Sequence, residues 1–304
     1  MSNDRSTPAA LVPKPEVSTR LLVHALVRAD ATVDAEELYT VAGLLGMTDQ
    51  QVRLCVKRLV AEGRFTHEGR GRKAAIRAVA DVTGSLAPDA AHVRHAYRQD
   101  RGLAPWDGTW HLFAFAIPES SRAARDTLRD TLLHLGAAPV QNGLYVSANP
   151  IDKLVETHAR HLGVHGSVTF LTSTDLRVGD MGDGPALAAA LWPLGEIAAR
   201  HERLAAFAAS CLDRLDGAVE SSDAERLTMA VELAAEFAGA MHPDPLLPPE
   251  LLPRPWPGSR ARELTASCWT ALLDARSTPT TRGARGAPRP LPRLFELYSD
   301  AFRV

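Results

Sequence analysis

At 304 residues the chain is long enough for two or three small domains. An apolar fraction of 45% with 23% charged residues excludes a chain disordered throughout. A formal net charge of -2 excludes a uniformly basic protein, yet a local basic patch can coexist with an acidic remainder.

Cys55, Cys211 and Cys268 are odd in number and far apart, with no CxxC pair. That argues against a disulfide framework or a structural zinc site and fits a reducing compartment. Residues 1–17 lack the charged start and apolar run of a signal peptide, and read as a disordered arm. No uninterrupted apolar stretch approaches the roughly 20 residues that cross a bilayer. The expectation is a cytoplasmic protein.

The first helix is expected from Ser18 to Ala29, with Leu22, Ala25, Leu26 and Ala29 on one face. Asp34 then caps a second helix, with Glu37 completing a capping box and Leu38, Val41, Ala42 and Leu45 as its buried stripe. Gly46 permits a tight turn. Thr48 and Gln51 form a second capping box for a third helix, Asp49 to Glu62, which buries Val52, Cys55, Val56, Leu59 and Val60. Its other face carries Gln50, Arg53 and Lys57 at spacings of three and four, and Gly63 ends it.

Arg64–Glu68 reads as a strand, Gly69-Arg70-Gly71 as a loop, and Lys73 to Val79 as the return strand. Together, residues 18–80 have the pattern of a winged helix-turn-helix. In such a domain the helix after the turn reads base edges in the major groove. Gln50 and Arg53 suit that task, because their forked groups can pair with adenine and guanine. Lys57, Arg58, Arg70, Arg72 and Lys73 suit phosphates. With Gln51 these residues form the candidate DNA-contacting set. The alternative is a winged helix that binds a protein partner, its charges solvating a small helical domain.

Residues 81–105 read as a partly helical connector. From 106 to 180 the order is βαββαβ, the ferredoxin-like pattern. Trp110 to Ile117 alternates as a strand, and Ser120 and Ser121 open a helix reaching Leu135. Asn142-Gly143 is a hairpin turn joining 139–141 to 144–148. Asn149 and Pro150 start a second helix in N-cap and N1 order, and Ser167 to Thr172 closes the sheet. Residues 185–304 read as a helical C-terminal domain, broken by prolines at 243–257, with a mobile low-complexity segment near 275–293. The fold class is therefore α+β.

Three stretches carry a family resemblance. VRLCVKRLVAEG contains a Val-Arg-x-small-x-x-Arg-Leu pattern at Val52, Arg53, Cys55, Arg58 and Leu59; PWDGTWHLFAFAIPE is followed by LRDTLLHLGAAPVQNGLYVSANP; and DPLLPPELLPRPWPGSRAREL runs from Asp244 to Leu264. In these the chain resembles the PaaX-like family of winged-helix regulators, the phenylacetate-degradation repressors. Cys55 stands where alanine is more usual, and the Arg/Pro/Gly segment after Ala275 matches nothing in the pattern. The resemblance implies a homodimeric repressor of an aromatic-catabolic operon, bound to operator DNA and released by an acyl-CoA such as phenylacetyl-CoA. It implies no enzymatic activity, cofactor or metal. Trp256, Arg260 and Arg262 are candidates for the effector, a tryptophan for stacking on adenine and two arginines for CoA phosphates. Alternatively, Trp256 packs the proline-rich crossing onto the core.

The central region also resembles small ferredoxin-like nucleases of CRISPR systems. These need an acidic metal ligand at the end of the first strand. Here that strand ends Ala116-Ile117-Pro118, with only Glu119 nearby. His158 and His161 share a helical face with His165 close by, but no acidic or cysteine ligand completes a set. Gly179 to Gly184 has the wrong spacing for a dinucleotide loop and reads as a linker.

Overall fold

The structure, a computed structural model, describes residues 15–69, 75–79, 90–217, 221–277, 292 and 294. Most of the N-terminal arm, the tip of the 65–79 hairpin and most of the low-complexity segment near 275–293 lie outside the described residues. The chain divides into two compact units. One comprises residues within Met1–Pro88, Glu202–Ala238 and Ala261–Asp300; the other comprises residues within Asp89–His201, Gly239–Arg260 and Ala301–Val304.

The first unit opens with α1 (Thr19–Ala25), β1 (Thr32–Asp34), α2 (Ala35–Leu44), α3 (Asp49–Ala61), β2 (Phe65–Glu68) and β3 (Ala75–Ala78). The strands form an antiparallel sheet in the order β1-β3-β2. Leu22, Leu26, Leu38, Val41, Val52, Leu59, Phe65 and Ile76 are among the buried apolar residues of this segment.

The first helix ends four residues short of the expected Ala29. Asp30 makes the turn instead, its carboxylate accepting from the Thr32 N–H at 3.0 Å and the Thr32 hydroxyl at 2.6 Å. The Arg28 amide then donates to the Thr32 carbonyl at 2.9 Å. This turn leads into β1, a strand of three residues that is too short to show an alternation in the sequence.

Asp34 caps α2 as expected, accepting from the Glu37 N–H at 3.0 Å. The Glu37 carboxylate does not reach back to complete a box. It accepts from buried Arg28 at 2.7 Å, because a largely desolvated guanidinium needs a carboxylate more than an N-cap needs a second bond.

The remainder of this unit comes from parts of three long helices: residues 202–216 of α8 (Leu194–Asp216), 223–238 of α9 (Asp223–Met241) and 261–277 of α10 (Pro257–Ser277). Within it Phe207, Cys211, Met229, Val231, Phe237, Cys268, Trp269 and Leu272 are buried.

The second unit is built on β4 (Trp110–Phe115), α5 (Arg122–His134), β5 (Ala138–Gln141), β6 (Leu144–Ser147), α6 (Asp152–His161) and β7 (Val168–Ser173). The sheet order β5-β6-β4-β7, antiparallel throughout, is the ferredoxin-like arrangement. Both faces of this sheet are covered, which is why β4 is apolar at every position except His111. Phe113 and Tyr145 face Leu128 and Leu132 of α5 and Val155 and Ala159 of α6. Trp110, Leu112 and Val146 face the other way, against Leu187 and Ala188 of α7 (Gly184–Leu191), Trp192, Leu247 and Leu251. The expected connector contains α4 (Ala90–Asp100), whose Val93 and Ala96 are fully buried.

One expectation fails at α6. Asn149 and Pro150 do not start that helix; it begins at Asp152, and its N-cap position, Ile151, makes no side-chain cap. The Asn149 carboxamide is engaged elsewhere, donating to the Pro245 carbonyl at 3.1 Å and the Leu246 carbonyl at 3.0 Å. A buried carbonyl pair out-competes a helix end that solvent can satisfy.

Gly136 closes α5 at φ +85°, and a Cβ there would lie 2.8 Å from the Pro245 Cα and 2.9 Å from the Pro245 oxygen. Gly163 closes α6 at φ +71° with nothing within 4 Å. Gly163→Ala is expected to cost about 1–2 kcal/mol, the strain of a left-handed residue. Gly136→Ala adds a backbone displacement of about 1–3 kcal/mol. Thermal unfolding of the two variants compares them directly, and equal shifts would show that Pro245 yields freely.

Candidate nucleic-acid interface

The surface begins with how α3 is held. Thr48 accepts from the Gln51 N–H at 3.3 Å, and the Gln51 side-chain oxygen accepts from the Thr48 N–H at 2.7 Å, so the capping box is complete. Gly46 makes the preceding turn at φ +76°. At the other end, Arg20 from the start of α1 grips the Glu62 carboxylate with two bonds, 3.1 and 2.7 Å. This contact raises the Arg20 pKa and lowers that of Glu62. One face of α3 is buried through Val52, Val56 and Leu59. Val60, expected inside, is 36% exposed, and Cys55 is only half-buried, so the buried stripe is narrower than its apolar residues suggest.

The opposite face is open to solvent. Gln50, Arg53, Leu54, Lys57 and Arg58 are all exposed, at spacings that place them on one side of the helix. Arg53 pairs with Asp49 one turn earlier at 3.6 Å. Gln51 is exposed too, but its side-chain oxygen serves the cap. Arg70, Arg72 and Lys73 lie outside the described residues. Two features of this region were not anticipated from the sequence. Leu54 is 48% exposed in the middle of the polar face. Arg77 is exposed on β3, with its guanidinium donating to the Asp30 carbonyl at 3.1 Å.

The effector candidates do not share one environment. Trp256 is half-buried against the apolar cluster around Trp110 and sets its ring edge-on to His201, 6.2 Å between centroids. Arg260 is exposed, whereas Arg262 is 4% exposed. Two residues apart on α10, they point to nearly opposite sides of the helix.

The nuclease-type carboxylate is also placed. Glu119 follows β4 by four residues and is held by Arg125 at 2.9 Å and Arg122 at 3.6 Å. His158 and His161 are exposed, and His165 is 3.4 Å from Glu156. Among the described residues no group of three or more His, Cys, Asp or Glu could hold a metal ion. Nor is any described helix long and apolar enough to cross a membrane. In the 179–184 stretch, Asp183 caps α7 by accepting from the Ala186 N–H at 3.0 Å.

Comparison with known proteins places the chain. Residues 103–184 match the PaaX protein central Cas2-like domain, and residues 192–279 match the PaaX-like protein C-terminal domain. No curated protein matches the chain. Among solved structures it is similar to the uncharacterized protein Rv0674 from Mycobacterium tuberculosis, at 21% identity and a TM-score of 0.49, covering 84% of this chain and 94% of that one. The two matched domains span more than half of the sequence, and the chain belongs to the PaaX-like family, whose members are typically transcriptional regulators.

Proposed function

We propose that this protein is a cytoplasmic, homodimeric transcriptional repressor without enzymatic activity. In this reading residues 18–80 form a winged helix-turn-helix. Helices α2 and α3 are its helix-turn-helix, and the β2–β3 hairpin is its wing. The observation that carries the reading is the exposed face of α3. A helix fixed at both ends turns Gln50, Arg53, Lys57 and Arg58 to solvent, with no apolar packing demand on any of them. Gln50 and Arg53 read base edges, while Lys57 and Arg58, with Arg70, Arg72 and Lys73 of the wing, hold phosphates.

Family membership extends the proposal. The operator lies upstream of genes for aromatic-compound catabolism, and an acyl-CoA such as phenylacetyl-CoA releases it. The ligand need only bind the DNA-incompetent form more tightly. A 100-fold release corresponds to about 2.7 kcal/mol of coupling, and reciprocity requires DNA to weaken ligand binding by the same factor.

Selection from a randomised duplex library tests the first part. The expected product is a consensus of two related half-sites, as a two-fold dimer demands. An unenriched pool would refute the reading, and binding to a protein partner through the same face would replace it. Calorimetric titration of phenylacetyl-CoA with and without the selected duplex tests the second part. Equal affinities in the two titrations would remove the acyl-CoA as inducer.

A further inference from the structure

We infer that Leu54 is a base-reading residue that contacts the C5-methyl group of a thymine in the major groove. The inference deepens the DNA-reading proposal and rests on it.

The starting point is a residue that folding does not explain. Helix α3 anchors itself through Val52, Val56 and Leu59, each 5% exposed or less. Leu54 is 48% exposed and belongs to neither side of that packing. A single exposed leucine is ordinary on a protein surface. The position of this one is not arbitrary. It lies one turn after Gln50, directly after Arg53, and one turn before Lys57 and Arg58, so the apolar side chain is framed by the four polar groups of the candidate reading face.

The frame selects the occupant. Three cations around an apolar spot suit a polyanion that carries a small apolar feature. The thymine methyl is the apolar feature that the bases of B-DNA display in the major groove. Two copies of this chain meeting through the same face would set Arg53, Lys57 and Arg58 against their own equivalents, and like charges brought together oppose that contact. Geometry agrees with a base-reading role. Leu54 is in the N-terminal half of α3, where a recognition helix approaches base edges, and its side chain is too short and apolar to serve a phosphate.

The experiment uses the tightest-binding duplex recovered from the randomised library, with each thymine replaced in turn by deoxyuridine. That exchange removes one methyl group and leaves base pairing intact. In the wild-type protein one thymine per half-site is expected to lose about 4-fold in affinity on replacement, the effect of one buried methyl group. Leu54→Ala should weaken binding to the thymine duplex by a similar factor or more, and should be insensitive to deoxyuridine at that position. Circular dichroism of the variant should be unchanged, because alanine is a strong helix former and Leu54 lies outside the buried stripe of α3.

A deoxyuridine scan that is neutral at every position in the wild type overturns the assignment while leaving the DNA-reading proposal standing. So does a penalty that persists undiminished in Leu54→Ala. A shift of Leu54→Ala in sedimentation velocity, with base preferences unaltered, assigns the residue to a contact between copies instead. Failure of the library to yield a consensus removes both proposals together.

Discussion

Replacing Asp244 with alanine is expected to lower stability by about 1.5–3 kcal/mol, the cost of losing buried hydrogen bonds to a carboxylate. The carboxylate lies at the head of the proline-dense segment and is 6% exposed. One oxygen meets the Nε2 of fully buried His201 at 2.7 Å. The other accepts from the Leu246 N–H at 2.8 Å and so closes a tight turn. That turn holds Leu246 at φ +52°, a left-handed conformation costing a leucine about 1–2 kcal/mol.

The consequence of the turn is the direction of the next carbonyl. The Leu246 oxygen accepts from Gln99 of α4 at 2.9 Å and from Asn149 at 3.0 Å, and Asn149 is itself contacted by His95 at 3.2 Å. Alanine at 244 removes these two carboxylate bonds, takes away the acceptor that holds the left-handed turn, and leaves His201 without this partner. Among the described residues the His201 Nδ1 already has no hydrogen bond, so the ring has little to fall back on. Asp244→Asn keeps an oxygen for the Leu246 N–H and should lose markedly less.

Urea unfolding followed by tryptophan fluorescence measures the loss, with Trp256 beside His201 as a local reporter. A loss below about 1 kcal/mol would mean that the apolar side chains alone hold the segment.

This network shows which parts of the fold the sequence made legible and which it did not. Local chemistry was readable. The Thr48–Gln51 box, the Asp34 cap, the Asn142-Gly143 hairpin and the βαββαβ order depend on residues a few positions apart, and periodicity or turn chemistry reveals them. Long-range choices were not readable. Asn149 has good N-cap chemistry, but its partners are 96 and 97 residues away. Glu37 looks like half of a capping box until buried Arg28 claims it. His201 carried no local signal at all, because its partner is 43 residues distant.

The candidate site divides in the same way. Spacing put Gln50, Arg53 and Lys57 on one face of α3, since helical geometry alone fixes that. It did not show that Leu54 joins them or that Val60 faces out, because an apolar residue beside the buried stripe has no intrinsic side. Arg260 and Arg262 look equivalent in sequence, yet one is exposed and the other buried. Only the packing of α10 decides between them.

Arg53→Ala should reduce binding to the selected duplex by about 1–3 kcal/mol while changing binding to a scrambled duplex far less, because a base contact discriminates by that amount. Gln50→Ala should behave in the same way. In the free protein Arg53 is 68% exposed and paired with Asp49 at 3.6 Å. An exposed pair one helical turn apart contributes only about 0.3–0.5 kcal/mol, so DNA can recruit the guanidinium at little cost. Asp49→Ala provides the complementary test. It frees Arg53 and removes a negative charge from the face, so affinity for both duplexes should rise modestly. The measurement is fluorescence anisotropy on the two duplexes at one fixed salt concentration, since phosphate contacts make affinities comparable only at matched salt. Equal losses on both duplexes for Arg53→Ala and Gln50→Ala would assign these side chains to the phosphate backbone, and α3 would then not be the reading helix.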